Sequence, residues 1–156
     1  MVKKIAIGAD HGGFKLKENI KKTLEKAGYS VIDSGTHSDA PCDYPLIGYD
    51  AAKKVSDKKA AEGIVICKSG IGMSIIANKL PGVRAGLCLT IGDAVSARQH
   101  NDANILVLSA SRTSGKKGIE ITKKWLSTKA LKGRHARRIR QMIDIEKKVF
   151  KKRRTK

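Results

Sequence analysis

Aromatic side chains are nearly absent. Phe, Trp and Tyr make up 4% of the 156 residues. A core must therefore come from Ile, Val, Leu and Ala, as in strands buried on both faces of a parallel sheet. The same scarcity removes the aromatic platforms on which a single-strand nucleic-acid binder stacks bases, and no recognisable nucleic-acid-binding signature replaces them. Cysteine is sparse and odd in number: Cys42, Cys67 and Cys88, with no pair at CxxC spacing. Neither a disulfide framework nor a zinc site is suggested, and a reducing compartment is expected. No apolar run approaches the roughly 20 residues that span a bilayer. Met1 to Ile5 leads straight into a strand-like run without the apolar stretch and cleavage site of a signal peptide. A soluble, cytoplasmic protein with no membrane partner is expected.

Negative charge is also scarce, with 14 acidic against 33 basic side chains and a net charge of +19. The segment Lys147 to Lys156 holds seven basic residues and no acidic one, and removing those seven charges leaves +12 of the +19. Such a field attracts polyanions and small phosphates. Its simplest reading is a lysine-rich solvated surface with a frayed tail. A nucleic-acid-binding protein using the basic tail is the alternative from another functional class.

What the chain does contain is alternation. Ile5-Ala6-Ile7 reads as a strand, and Leu16, Ile20, Leu24 and Ala27 then share a helical face that Gly28 stops. Val31-Ile32 is a short strand, and residues 34–44 read as a loop. Pro45 can start a helix whose stripe is Ile47, Ala51 and Val55. Ile64 to Cys67 is a fully apolar strand, followed by a glycine turn and a helix that ends before Pro81-Gly82. Arg84 to Leu89 is the fourth strand. Thr90 and Asp93 match a capping box. Ile105 to Leu108 is the fifth strand, and a helix runs from about Ser114 to Leu126. From Arg134, the residues Ala136, Ile139, Met142, Ile143, Val149 and Phe150 mark a long amphipathic helix, wide enough on its apolar side to engage a partner subunit. Five strand–helix repeats imply a Rossmann-like three-layer α/β/α sandwich with a five-stranded parallel sheet. Residues 1–146 form one domain, and 147–156 continue or fray from the last helix. Ligands in such sheets bind beyond the carboxyl ends of the strands.

Four constellations could carry chemistry. Gly8-Ala9-Asp10-His11-Gly12-Gly13 follows the first strand. It is not a P-loop, because Phe14 stands where lysine is needed, and it is not GxGxxG. Asp10 could orient a substrate hydroxyl or the His11 ring, or the segment could be a capped turn. Cys67-Lys68-Ser69-Gly70-Ile71-Gly72-Met73-Ser74 puts a cysteine before a glycine turn and a helix N-terminus. A base and preorganised N–H donors suit proton abstraction beside a carbonyl, although a buried, inert cysteine is equally compatible. His100-Asn101-Asp102 closes a helix, where an imidazole can shuttle protons near neutral pH or simply cap. Arg134 and Arg138, at i and i+4, could clamp a phosphate beside a helix start, with Arg137 a geometric competitor, or merely begin a basic helix.

Together these segments closely resemble the B-type ribose-5-phosphate isomerase family, which is shared with galactose-6-phosphate isomerase subunits. The resemblance rests on Gly8 to Phe14, Asp43-Tyr44-Pro45, Cys67 with Ser69 to Ser74, Ala77-Asn78-Lys79, Arg84-Ala85, Ser96 to Asn104 and Gly133-Arg134-His135. It covers roughly residues 3 to 146, and the basic tail lies outside it. It implies interconversion of ribose 5-phosphate and ribulose 5-phosphate through an enediolate, in the non-oxidative pentose phosphate pathway. A six-carbon substrate, allose 6-phosphate or galactose 6-phosphate, is the alternative. By resemblance, Cys67 moves the proton between C2 and C1, supported by Ser69. Backbone N–H groups of Gly70, Ile71, Gly72, Met73 and Ser74 hold the enediolate. His100 and Asp10 assist ring opening, and Tyr44 and Asn101 line the pocket. His11, Arg134 and Arg138 bind phosphate, with Arg112 a further contributor. No metal or organic cofactor is implied. Sites shared across a homodimer, or a tetramer built from it, are. Two departures stand out. Lys68 replaces a common glycine and either favours the thiolate or reaches solvent. Met73 stands where some relatives carry a glutamate base, so the cysteine version applies.

Overall fold

In the computed structural model, residues 2–154 are described, with side chains through residue 151. Thr155 and Lys156 of the basic tail lie outside the described residues. The order is β1 (Lys4–Ala9), α1 (Phe14–Lys26), β2 (Ser30–Asp33), α2 (Tyr44–Ser56), β3 (Glu62–Cys67), α3 (Ile71–Ala77), β4 (Ala85–Leu87), α4 (Ile91–Asn101), β5 (Ile105–Ser109), α5 (Gly115–Ser127) and α6 (Arg134–Arg154). All pairings are parallel, in the order β2-β1-β3-β5-β4. The sandwich expected from the strand–helix alternation is the one observed.

Strand alternation divides the core into two layers. Ile5, Ile7, Ile64, Ile66, Leu106 and Leu108 face one side, where α1, α4 and α5 cover them and Trp125 is fully buried. Ala6, Val65, Cys67, Ile105 and Val107 face the other, beneath α2 and α3. Truncating one of these buried branched residues to Ala costs about 2–5 kcal/mol in such cores. The side of the sheet on which Cys67 points is thus set by β-strand period alone.

Most boundaries follow local chemistry. Gly28, at φ +85°, ends α1, and Tyr29 N–H donates back to Leu24 O at 3.1 Å, a left-handed helix stop. Ala27, expected on the buried face, is instead the exposed C-cap. The capping box of α4 is present, with Asp93 N–H donating to Thr90 Oγ1 and Thr90 N–H to Asp93 Oδ2. β4 is shorter than the Arg84–Leu89 run suggests. Side chains take the flanking amides: Arg84 N–H donates to Asn104 Oδ1 at 2.8 Å and Leu89 N–H to Asp93 Oδ2 at 2.9 Å. α6 packs on α4 through His135 and Ile139, while Met142, Ile145 and Val149 are exposed. No helix among the described residues is long and apolar enough to cross a membrane.

Candidate active site

The chain leaves β1 toward α1 on one face of the sheet and β3 toward α3 on the other. That divergence opens a crevice at the carboxyl ends of two neighbouring strands, where α/β sheets bind ligands. Asp10 follows β1 there and Cys67 ends β3. Together with Tyr44, Lys68, Ser69, Ile71, Gly72 and Ile75 they line a cleft of about 450 Å³.

Cys67 is 4% exposed, yet its sulfur borders this cleft and is not sealed in hydrocarbon. Gly70 N–H donates to Cys67 Sγ at 3.1 Å. Gly70 adopts φ +79°, and a Cβ there would meet Leu87 Cδ1 at 2.5 Å, so the turn requires glycine. Ser69 Oγ accepts from Ile71 N–H at 3.2 Å. Ser74 N–H donates to Gly70 O at 3.0 Å and so belongs to the helix. The amides of Gly72 and Met73 have no acceptor among the described residues. Of the five amides expected to hold an enediolate, these two are free to do so; Gly70 serves the sulfur, Ile71 the Ser69 hydroxyl and Ser74 the helix. The Met73 side chain is fully buried among α2 and β3 residues and supplies packing.

The cleft is braced from both sides. Ser109 Oγ and Ser111 Oγ each donate to Lys68 O at 2.8 Å, and Ala110 N–H donates to Cys67 O at 3.0 Å. These bonds tie the Cys67 turn to the loop after β5, which carries exposed Arg112. The Lys68 side chain is exposed. Asp10, 7% exposed, accepts Gly13 N–H on Oδ1 at 3.0 Å. His11 Nδ1 lies 3.1 Å from Cys42 O and 3.2 Å from Cys42 N, so the ring is clamped to the loop before α2. Tyr44 opens α2 with its ring against Gly72.

The other expected residues stand elsewhere. α4 crosses back over the sheet between parallel β4 and β5, so its end, with His100 and Asn101, lies at the amino edge. A six-residue strand spans roughly 17 Å, which separates these groups from Cys67 of the same chain. Asn101 lines a different cavity, of about 420 Å³, with Arg84, Met142 and Ile143. Arg84 anchors this corner, donating to Asn101 O at 3.1 Å, Asp102 O at 2.9 Å and Asp102 Oδ2 at 2.9 Å. His100 stacks on His135, with centroids 4.4 Å apart and planes within 10°. Burial first, and then His100, Arg134 and Arg138, hold His135 below the ordinary imidazole range. Arg134 and Arg138 are exposed at the start of α6, beside this pair.

The candidate residues of one chain therefore fall into two separate groups. The carboxyl-edge group has Asp10, His11, Tyr44, Cys67, Ser69, the free amides and Arg112. The amino-edge group has His100, Asn101, Arg134 and Arg138. The sequence reading quoted the stacking partner His135 without giving it a role, and it passed over the fully buried Lys17. The signal for Lys17 was its place between Leu16 and Ile20 on the inward stripe of α1. Among the described residues, no three of His, Cys, Asp and Glu gather as a metal site would require.

Comparison with known proteins identifies the family. A family model described as Ribose/Galactose Isomerase matches residues 5–142. Ribose-5-phosphate isomerase B of Escherichia coli (strain K12) is 39% identical over 147 residues, covering 94% of this chain and 99% of its own. The structure of ribose-5-phosphate isomerase B from Clostridium thermocellum matches with a TM-score of 0.90 at 45% identity, covering 94% of this chain and 99% of that one. A Mycoplasma genitalium ribose-5-phosphate isomerase B structure with bound ribulose-5-phosphate matches with a TM-score of 0.90 at 38% identity, covering 94% and 98%.

Proposed function

This chain belongs to the ribose/galactose isomerase family, and from that premise we propose that it is an aldose–ketose isomerase interconverting D-ribose 5-phosphate and D-ribulose 5-phosphate. The observation that carries the reading is Cys67 Sγ at the rim of a cleft beside two unpaired amides. Once the furanose has opened, Cys67 takes the C2 proton as the C1 carbonyl oxygen becomes an enediolate oxygen. The Gly72 and Met73 amides hold that charge, a preorganised stabilisation of the kind that supplies most of a proton-transfer enzyme's power. The proton then returns from sulfur to C1, and the hydroxyl proton of O2 ends on O1. Ser69 supports the base. Asp10 and His100 serve ring opening, in which the C1 hydroxyl loses a proton and the ring oxygen gains one as the C1–O bond breaks.

The active enzyme is a homodimer whose sites join the carboxyl-edge half of one chain to the amino-edge half of the other. Exposed Tyr44, Ile71 and Ile75 line the cleft, and exposed Met142, Ile145 and Val149 line the open face of α6. Apolar surface of this extent marks an interface, and a second copy of the chain covers it. In that assembly His11 and Arg112 grip the phosphate from one side, and Arg134 and Arg138 reach it from the partner. A site built on a free thiol suits a reducing cytoplasm.

The test is Cys67→Ala in a ribose 5-phosphate to ribulose 5-phosphate assay. The expected outcome is a fall in kcat of about 10²–10⁴-fold, the usual contribution of a positioned general base, with the oligomer intact. Retained turnover in a correctly assembled variant would remove Cys67 from the mechanism.

A further inference from the structure

Lys17 is a buried cation that the proposed chemistry does not use. Its side chain is 0% exposed. Its Nζ donates to Asp33 Oδ1 at 2.8 Å and Oδ2 at 2.7 Å, meets Glu18 Oε1 at 2.9 Å and lies 5.7 Å from the centre of the Phe14 ring. Asp33 ends β2 and also accepts from Lys21 Nζ at 2.8 Å and Gly35 N–H at 2.9 Å.

Two hydrogen-bonded paths lead from this pair to Asp10. Along α1, Lys17 N–H donates to Gly13 O at 2.9 Å, and Gly13 N–H donates to Asp10 Oδ1 at 3.0 Å. Along the turn after β2, Ser34 N–H donates to Ile7 O at 2.7 Å, Ala9 N–H to Gly35 O at 2.7 Å and Thr36 N–H to Ala9 O at 2.6 Å. The first path fixes the carboxylate and the second fixes the backbone just before it. Lys17 and Asp33 join the two paths beneath the cleft without entering it.

We infer that the Lys17–Asp33 pair is a positioning pair that sets the Asp10 carboxylate for opening the sugar ring. The inference rests on the isomerase reading above and deepens it. A buried ion pair seldom adds net stability over apolar residues of the same shape, but it is directional, whereas hydrocarbon packing tolerates sliding. Ring opening needs that direction, because a proton must leave the C1 hydroxyl and another must reach the ring oxygen. Enolisation of the open ketose at Cys67 needs no contribution from Asp10. Two steps of one reaction thus depend differently on the pair.

The double substitution Lys17→Met with Asp33→Asn removes both charges, keeps both volumes and leaves an acceptor for Gly35 N–H. Two rates are compared in the full-length protein: conversion of ribose 5-phosphate to ribulose 5-phosphate, and exchange of a C1 hydrogen of ribulose 5-phosphate for solvent deuterium. The expected result is a conversion rate about tenfold or more lower, the scale of a small misplacement of a reacting group, with C1 exchange within about twofold of wild type. Two results would overturn the inference: both rates staying within about twofold, or both falling in parallel. Should the double variant not fold, Asp33→Glu, which keeps the charge but moves it by one methylene, is put through the same comparison. A wild-type protein that neither isomerises nor exchanges overturns the isomerase reading itself, and with it the role of the pair.

Discussion

Cys67 and Cys88 are both buried at the carboxyl edge of the sheet, but their surroundings differ. Burial first, and then the neighbouring Asp93, push the Cys88 thiol up to about 12. It stays a protonated, inert core group. Cys67 has an amide aimed at its sulfur and a cleft beside it. Asp33 shows the same competition in a carboxylate. Burial pushes its pKa up, but the hydrogen bonds from Lys17, Lys21 and Gly35 win and hold it at about 2, against 3.8 for a free carboxyl. A folded-state value below the unfolded one stabilises the protein above about pH 4, and that contribution is lost as pH falls toward 2. Its size is roughly 2 kcal/mol by linkage. In urea unfolding from pH 5 to pH 2, the stability advantage of wild type over Asp33→Asn should shrink across that window. A pH-independent difference would show that the ion pair does not set the carboxyl's titration.

Among the elements, α3 is the one whose start is most tightly specified. A Cβ on Gly72 would lie 2.5 Å from Tyr44 Cζ and 2.8 Å from its hydroxyl. Tyr44 is 37% exposed, so Gly72→Ala is expected to swing the ring outward and leave the fold standing, with a stability change within about 1 kcal/mol. The cleft loses both Tyr44 and the correct aim of the Gly72 amide. The expected kcat/KM is about tenfold or more lower, since displacement of catalytic groups by an ångström is costly. Thermal melts and steady-state kinetics on the same sample measure the two effects. A kcat/KM equal to wild type would show that the Tyr44–Gly72 contact has no part in the site. At this scale the sequence was highly legible: Gly28 as a helix stop, the Thr90–Asp93 box and Cys67 at a strand end all follow local rules. The inward position of Lys17 was signalled by the stripe of α1, but its pairing was not legible, because Asp33 lies on another element and lysine is almost always a surface residue.

For the whole molecule, the linear reading named the candidate residues and expected sites shared across a homodimer, but chain order does not show which of them one subunit brings together. The fold separates them. A right-handed crossover puts the end of α4 at the amino edge, so His100 and Asn101 face away from their own chain's Cys67. The wide apolar stripe of α6 was visible in the sequence, and it is half uncovered in the structure. The proposed twofold dimer would join the two residue groups across its axis and cover both exposed apolar surfaces. Subunit complementation tests this directly. Cys67→Ala and His100→Ala proteins, each inactive alone, are mixed, unfolded and refolded together. Random pairing gives heterodimers in which one site has both groups and the other has neither. The account predicts recovery of about a quarter of wild-type activity, as expected for twofold composite sites. A refolded mixture no more active than its two components would contradict it.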